Sequence, residues 1–206
     1  MILSKKHLPE RSLQFFIIAG RWAALISQRA KGEKGILTPH QDWNIVDEDK
    51  FRSFNIWVPL VDLSDDNGVI CVMPGSHTWR KTYRSANIPT AYAEREQEFW
   101  ASMQRLYMKA GEALIYDHRL IHASGANTTD EIRLACVYGI IPQGAEMLYY
   151  HGKDAQTVEV YKSNPEFFLY GNIFEGPKGL EKIGEVPMEN KSGYFSKILS
   201  KLMHSI

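Results

Sequence analysis

FNIWVPLVDLSDDNGVICVMPGSH (residues 54–77) decides how this chain folds. Its first half, FNIWVPLVDL (54–63), is rich in β-branched and aromatic residues and reads as a strand. SDDNG (64–68) is a turn signal of the hairpin kind, because Asn-Gly tolerates the backbone that a tight reversal needs. VICVMP (69–74) reads as the returning strand, closed by Pro74-Gly75.

Working outward, further strands appear at GEALIYD (111–117) and IRLACVYGIIP (132–142), separated by the loop ASGANTTDE. Residues 14–29 read as a strand followed by a short helix, and KGEKG (31–35) as an exposed turn. From 78 to 108 strand alternation stops. The spacing of Phe99, Met103 and Leu106 there predicts a helical or irregular excursion. SGYFSKILSKLM (192–203) sets its apolar residues on one side of an amphipathic helix, with Ser192 as N-cap. Short strands between turns, with helices around them, predict an all-β barrel or sandwich core wrapped by helices. There is no β-α-β alternation and no Gly-rich phosphate loop, which argues against a nucleotide-binding α/β fold.

The bulk numbers suit one globular domain over 1–206. Of 206 residues 44% are hydrophobic and 23% charged, and Lys plus Arg balance Asp plus Glu at 24 each. That balance gives no broad attraction to nucleic acid or to an anionic membrane. Cys71 and Cys136 lie in apolar strand-like runs, where cysteine behaves as a small hydrophobe, so a reducing, cytoplasmic setting is expected. The apolar run at 13–20 is too short to span a bilayer, and no small-x-small cleavage site follows it. The sequon at Asn127 therefore carries little weight.

The chemistry concentrates in TPHQDW (38–43) and DHRLIHASGANTTDEIRLA (117–135). Side chains two apart on an extended segment point the same way, so His40 and Asp42 can reach one metal. A histidine from a distant strand would complete two histidines and a carboxylate, the set that holds mononuclear non-haem iron(II) on one face of an octahedron with three positions open. His118 and His122 compete for that place. Such a centre takes a 2-keto acid as electron source, and the planar fork of Arg133 suits its distal carboxylate, with the Ser124 hydroxyl nearby. Taken alone, Arg133 would be a strand-edge surface arginine, and Trp57 simple core packing.

HQDW, the stretch at 54–77, and GEALIYDHRLIHASGANTTDEIRLA (111–135) together resemble the phytanoyl-CoA dioxygenase family of iron(II)/2-oxoglutarate oxygenases. The likeness covers about residues 36–141. It implies a mainly β protein with flanking helices, built on a double-stranded β-helix, or jelly-roll, core of cupin type. Only 39 residues precede His40, fewer than the resemblance implies, so the core is expected to be shortened at its N-terminal side. The segment 78–108 would be a variable, lid-like insertion and 155–206 a C-terminal helical region.

Carried over residue by residue, the resemblance makes His40, Asp42 and His122 the iron ligands and the catalytic centre. Arg133, Ser124 and Trp57 would contact 2-oxoglutarate. The implied reaction hydroxylates a small molecule with O2 and releases succinate and CO2, and the aspartate ligand marks a hydroxylase. The rival readings are a metal-binding cupin-like barrel without turnover and a truncated, inactive relative. His77 is expected to hold its loop by hydrogen bonds, and His7, His151 and His204 to be surface residues. Arg80, Lys81 and Arg84 read as a solvated charged loop, or as a landing site for an acidic substrate.

Overall fold

The structure is a computed structural model that describes residues 25–29, 36–79, 81–170 and 173–188. Two four-stranded sheets form the core. One has the order β1-β8-β3-β6 and the other β2-β7-β4-β5. In chain order these are β1 Leu25–Arg29, β2 Leu37–His40, β3 Phe54–Pro59, β4 Ile70–Val72, β5 Gln104–Leu106, β6 Leu114–Asp117, β7 His122–Ser124 and β8 Arg133–Ile140. All their pairings are antiparallel. The chain changes sheet at every step except β4 to β5, which is the winding of a jelly roll.

The expected hairpin at 54–74 is therefore not one. β3 and β4 lie in different sheets, and the turn between them carries the chain across the edge of the sandwich. Asn67 holds it: its Oδ1 accepts from the Ser64 N–H at 2.9 Å and its Nδ2 donates to the Asp62 carbonyl at 2.7 Å. The alternation of FNIWVP is as expected, with Asn55, Trp57 and Pro59 inward. Inward residues of both sheets meet in one core: Trp57, Leu114, Tyr116 and Ala135 from one, and Ile70, Cys71, Val72 and Ala123 from the other. Each such large apolar side chain contributes about 1.5–3 kcal/mol through burial.

Three further sequence expectations are corrected. Residues 25–29 form β1 on the edge of the first sheet, not a helix; backbone pairing with β8 over the whole of Leu25–Arg29 overrides local propensity. The excursion after β4 contains one short helix, α1 (Glu96–Ser102), but Gln104–Leu106 becomes β5 instead of continuing it. Met103 still packs where the helical spacing put it, against both the main core and the Met73, Trp79, Tyr92, Phe99 and Ile121 cluster.

The third correction concerns 155–206, expected to be helical. Its described part holds β10 (Thr157–Lys162) and β11 (Glu181–Pro187), which join β9 (Leu148–Gly152) in a third sheet of order β11-β10-β9. α2 (Pro165–Tyr170) is six residues long. TVEVYK alternates in burial, Val158 and Val160 facing inward, so a period of two prevails there. The sheet is tied to the core through the Leu148 N–H, which donates to the Ile45 carbonyl at 2.9 Å. The turn at 31–35, the helix at 192–203, and His7, Arg80 and His204 lie outside the described residues.

Cys71 and Cys136 are free thiols, Cys71 buried. Asn127 of the sequon is fully buried, its side chain spent on Glu131 and Thr129. Among the described residues no helix is long and apolar enough to cross a membrane.

Candidate metal centre

β2 and β7 run side by side, and His40 is the register partner of His122. The register slips by one residue between Leu37 and His40, a bulge that contains Pro39. Proline has no N–H to lose there, and the bulge re-aims the next side chain. The two imidazole centroids lie 4.3 Å apart. His40 Nδ1 is 2.8 Å from the Thr38 carbonyl and His122 Nδ1 is 3.0 Å from the Leu120 carbonyl. A carbonyl only accepts, so both Nδ1 atoms carry the proton and both Nε2 atoms present a lone pair.

Asp42 closes the group. Its Oδ2 accepts from Asn55 Nδ2 at 2.8 Å, which turns Oδ1 toward the histidines. Oδ1 lies 3.9 Å from His40 Nε2 and 3.8 Å from His122 Nε2. All three donor atoms fall within 4.8 Å of one another. Two donors about 2.1 Å from one ion can be at most about 4.2 Å apart, so both carboxylate–imidazole separations fit a shared cation. Burial pushes the Asp42 carboxyl up, but His122, His118 and His40 outweigh it and hold the group below the usual carboxylate range. The ordered tautomers and the fixed carboxylate are the outer support that metal ligands need.

The donors open into a cavity of about 130 Å³ between the two main sheets. Arg133 lies at its other side, buried, with Nη2 donating to Ser124 Oγ at 3.3 Å and Cζ 5.3 Å from the Trp57 ring centroid. Ser124 Oγ in turn donates to the Gly68 carbonyl at 2.8 Å. Leu37, Ile70 and Val137 supply apolar wall. Tyr116, on β6 beside Asn55, sets its hydroxyl 3.5 Å from His122 Nε2. Burial, and then the Asp42 charge, push its phenol well above the ordinary range, so it stays protonated.

The phytanoyl-CoA dioxygenase family model matches residues 5–135, which contain His40, Asp42, His122, Arg133, Ser124 and Trp57. The chain belongs to the phytanoyl-CoA dioxygenase family. Phytanoyl-CoA dioxygenase domain-containing protein 1 of Danio rerio is 30% identical over 121 residues, covering 53% of this chain and 40% of that protein. Dioxygenase FUM3 of Gibberella moniliformis is 29% identical over 91 residues, covering 44% of this chain and 26% of its own. The chain thus spans less than half the length of these relatives. The solved structure of the epimerase SnoN in complex with Fe3+, alpha ketoglutarate and nogalamycin RO superposes with a TM-score of 0.49 at 23% identity, over 59% of this chain and 49% of that one.

In this member of the family, all six residues singled out from the sequence line one cavity: His40, Asp42, His122, Arg133, Ser124 and Trp57. Trp57 packs in the core, as one reading of it expected, and its ring also borders the cavity. His118 does not join the donors. It is buried behind them, and its carbonyl accepts the Asp42 N–H at 2.9 Å. Lys81 is paired with Asp49, and Arg84 is neither solvated nor a landing site: it is buried against Glu48. None of the described residues around the cavity comes from 78–108. Asn55 and Tyr116 were missed by the sequence reading. Asn55 shares the inward parity of Trp57, and a polar residue on the buried face of a strand was the available signal.

Proposed function

We propose that this chain is an iron(II)- and 2-oxoglutarate-dependent dioxygenase that hydroxylates a small-molecule substrate and releases succinate and CO2. The observation that carries the reading is one cavity with a three-donor metal cluster on one side and a buried arginine on the other. His40, Asp42 and His122 would hold the iron, as two histidines and a carboxylate do in non-haem iron(II) oxygenases. Bound there, iron(II) supplies redox chemistry and open positions for a bidentate keto acid and for O2.

The chain's own residues account for the rest. Arg133, seated on the Trp57 ring and beside Ser124, offers a planar fork to the distal carboxylate of 2-oxoglutarate, which supports a dicarboxylate over a monocarboxylic keto acid. Leu37, Ile70 and Val137 keep water from the space between that anchor and the donors. The Tyr116 phenol holds its proton and can donate toward oxygen atoms placed near His122. A cupin-like barrel without turnover has no use for a buried anion clamp beside its metal donors. The two free cysteines support a reducing, cytoplasmic location, and the balanced charge supports a small molecule as partner over nucleic acid or membrane.

The test is anaerobic protein with iron(II) and 2-oxoglutarate. A visible charge-transfer band is expected on adding the keto acid, and succinate on admitting air with a substrate library. Folded, iron-loaded protein that develops no band would sink the co-substrate assignment.

A further inference from the structure

The chain between Asp42 and Glu48 is folded around one side chain that belongs neither to the donor cluster nor to the cavity wall. Arg84 and Glu48 are 7% and 6% exposed. The Arg84 guanidinium meets both Glu48 carboxylate oxygens, through Nη1 at 3.2 Å and through Nη2. Nη1 also donates to the Thr82 carbonyl at 2.9 Å, and Nε donates to the backbone carbonyl of Asp42 at 2.6 Å. The main chain of Arg84 is pinned as well: its N–H donates to Asn44 Oδ1 at 2.6 Å, and its carbonyl accepts the Asn44 N–H at 3.2 Å.

Asp42 is thereby fixed from three sides. His118 takes its N–H, Arg84 takes its carbonyl, and Asn55 takes Oδ2. The atom that remains, Oδ1, faces His40 and His122. A buried ion pair is a poor source of stability, since apolar residues of similar volume often serve as well or better. What apolar packing cannot supply is a donor aimed at one carbonyl. The guanidinium supplies it because Nε is rigidly placed relative to the fork that Glu48 grips. Glu48 also cancels the arginine charge, so the pair does not repel a cation held by Asp42.

We propose that Arg84, neutralised by Glu48, is the positioning residue for the Asp42 carboxylate at the metal centre. The inference rests on the metal reading above and adds to it the residue pair that sets one ligand's direction.

Cobalt(II) binding tests it, followed by calorimetry and by the visible spectrum of the bound ion, at temperatures well below unfolding. Arg84→Lys keeps a charge for Glu48 but loses the Nε donor. The double variant Arg84→Met/Glu48→Met removes both charges together and leaves none unpaired. Either is expected to weaken cobalt(II) about 10- to 100-fold, as loss of outer support does at other metal sites, and to change the spectrum. A merely structural pair would lower the melting temperature and leave both readouts alone. A folded double variant with wild-type affinity and spectrum therefore overturns the inference while the metal reading stands. Failure of the wild-type protein to bind cobalt(II), with Asp42→Ala indistinguishable from it, overturns the metal reading and this inference with it.

Discussion

His40 and His122 are partners across the antiparallel β2–β7 pair, and each binds through Nδ1 the carbonyl two residues before it. That symmetry fixes both tautomers before any metal arrives. His122→Ala should abolish tight binding of a divalent cation. His118→Ala should leave binding stoichiometry at one per chain, because the His118 ring is not among the three donors and its backbone carbonyl, which accepts the Asp42 N–H, is kept. Calorimetric titration distinguishes the two, and the reverse pattern would overturn the choice of ligand.

Asn55 Nδ2 donates to the Asp42 carboxylate at 2.8 Å. Asn55→Leu keeps the volume and removes that donor, so Oδ2 loses its amide partner and the carboxylate is less firmly oriented. An outer partner of this kind is worth about 10- to 100-fold in metal affinity. Competition for iron(II) against a chelator of known strength reads the change directly. An unchanged affinity would mean that the carboxylate is held by other groups.

Much of this centre was legible before any coordinates. The His40–Asp42 spacing is a statement about parity on an extended segment, and parity survives folding. The strand around Trp57 was legible for the same reason, since burial alternates along it. Periodicity says which face is inward, but not which strand lies alongside. Hence β3 and β4 read as a hairpin although a sheet change separates them, and β9 to β11 went unseen as a sheet. Arg84 was misread because charge alone suggests solvent, and its partner Glu48 lies in another segment, with no local pattern to announce it.

On the proposed reading, Arg133 distinguishes co-substrate binding from metal binding. Arg133→Lys retains the charge but loses the two-pronged geometry and the planar stacking on Trp57. A charge-assisted hydrogen bond is worth roughly 1.5–3 kcal/mol, so the 2-oxoglutarate requirement should rise by about tenfold or more. Iron(II) affinity should not move. Steady-state KM for 2-oxoglutarate and a separate metal titration give the two numbers. A parallel fall in both would place Arg133 in the metal's support instead.

His118 also sets a pH dependence. Burial holds its imidazole below the usual histidine range, against the opposing pull of Asp42. The unfolded chain takes up a proton near pH 6.5, whereas the folded chain does so only at lower pH. The stability this residue allows is therefore present above about pH 6.5 and is lost as pH falls from there through the lower folded value. Urea unfolding of chelator-treated protein from pH 7.5 down to 5.5 should show declining stability. His118→Leu should flatten that decline. A slope unchanged in the variant would assign it to other groups.

Gly68 joins the sheet-changing turn to the anion side of the cavity. Its φ is +79°, and a Cβ there would lie 2.8 Å from the Gly125 carbonyl oxygen. A backbone oxygen cannot swing aside as a side chain can, so Gly68→Ala combines left-handed strain with a clash. The expected loss is about 1–3 kcal/mol in urea unfolding. Gly75 provides the control, with φ +82° but nothing within 4 Å of its Cβ position. Gly75→Ala should cost only the conformational part, about 1–2 kcal/mol. The difference between them isolates the clash. Because the Gly68 carbonyl accepts from Ser124 Oγ, which accepts from Arg133, relief of that clash should displace Ser124. Gly68→Ala, and not Gly75→Ala, should therefore also raise the KM for 2-oxoglutarate at unchanged metal affinity. Equal KM values in the two variants would disconnect the turn from the anchor.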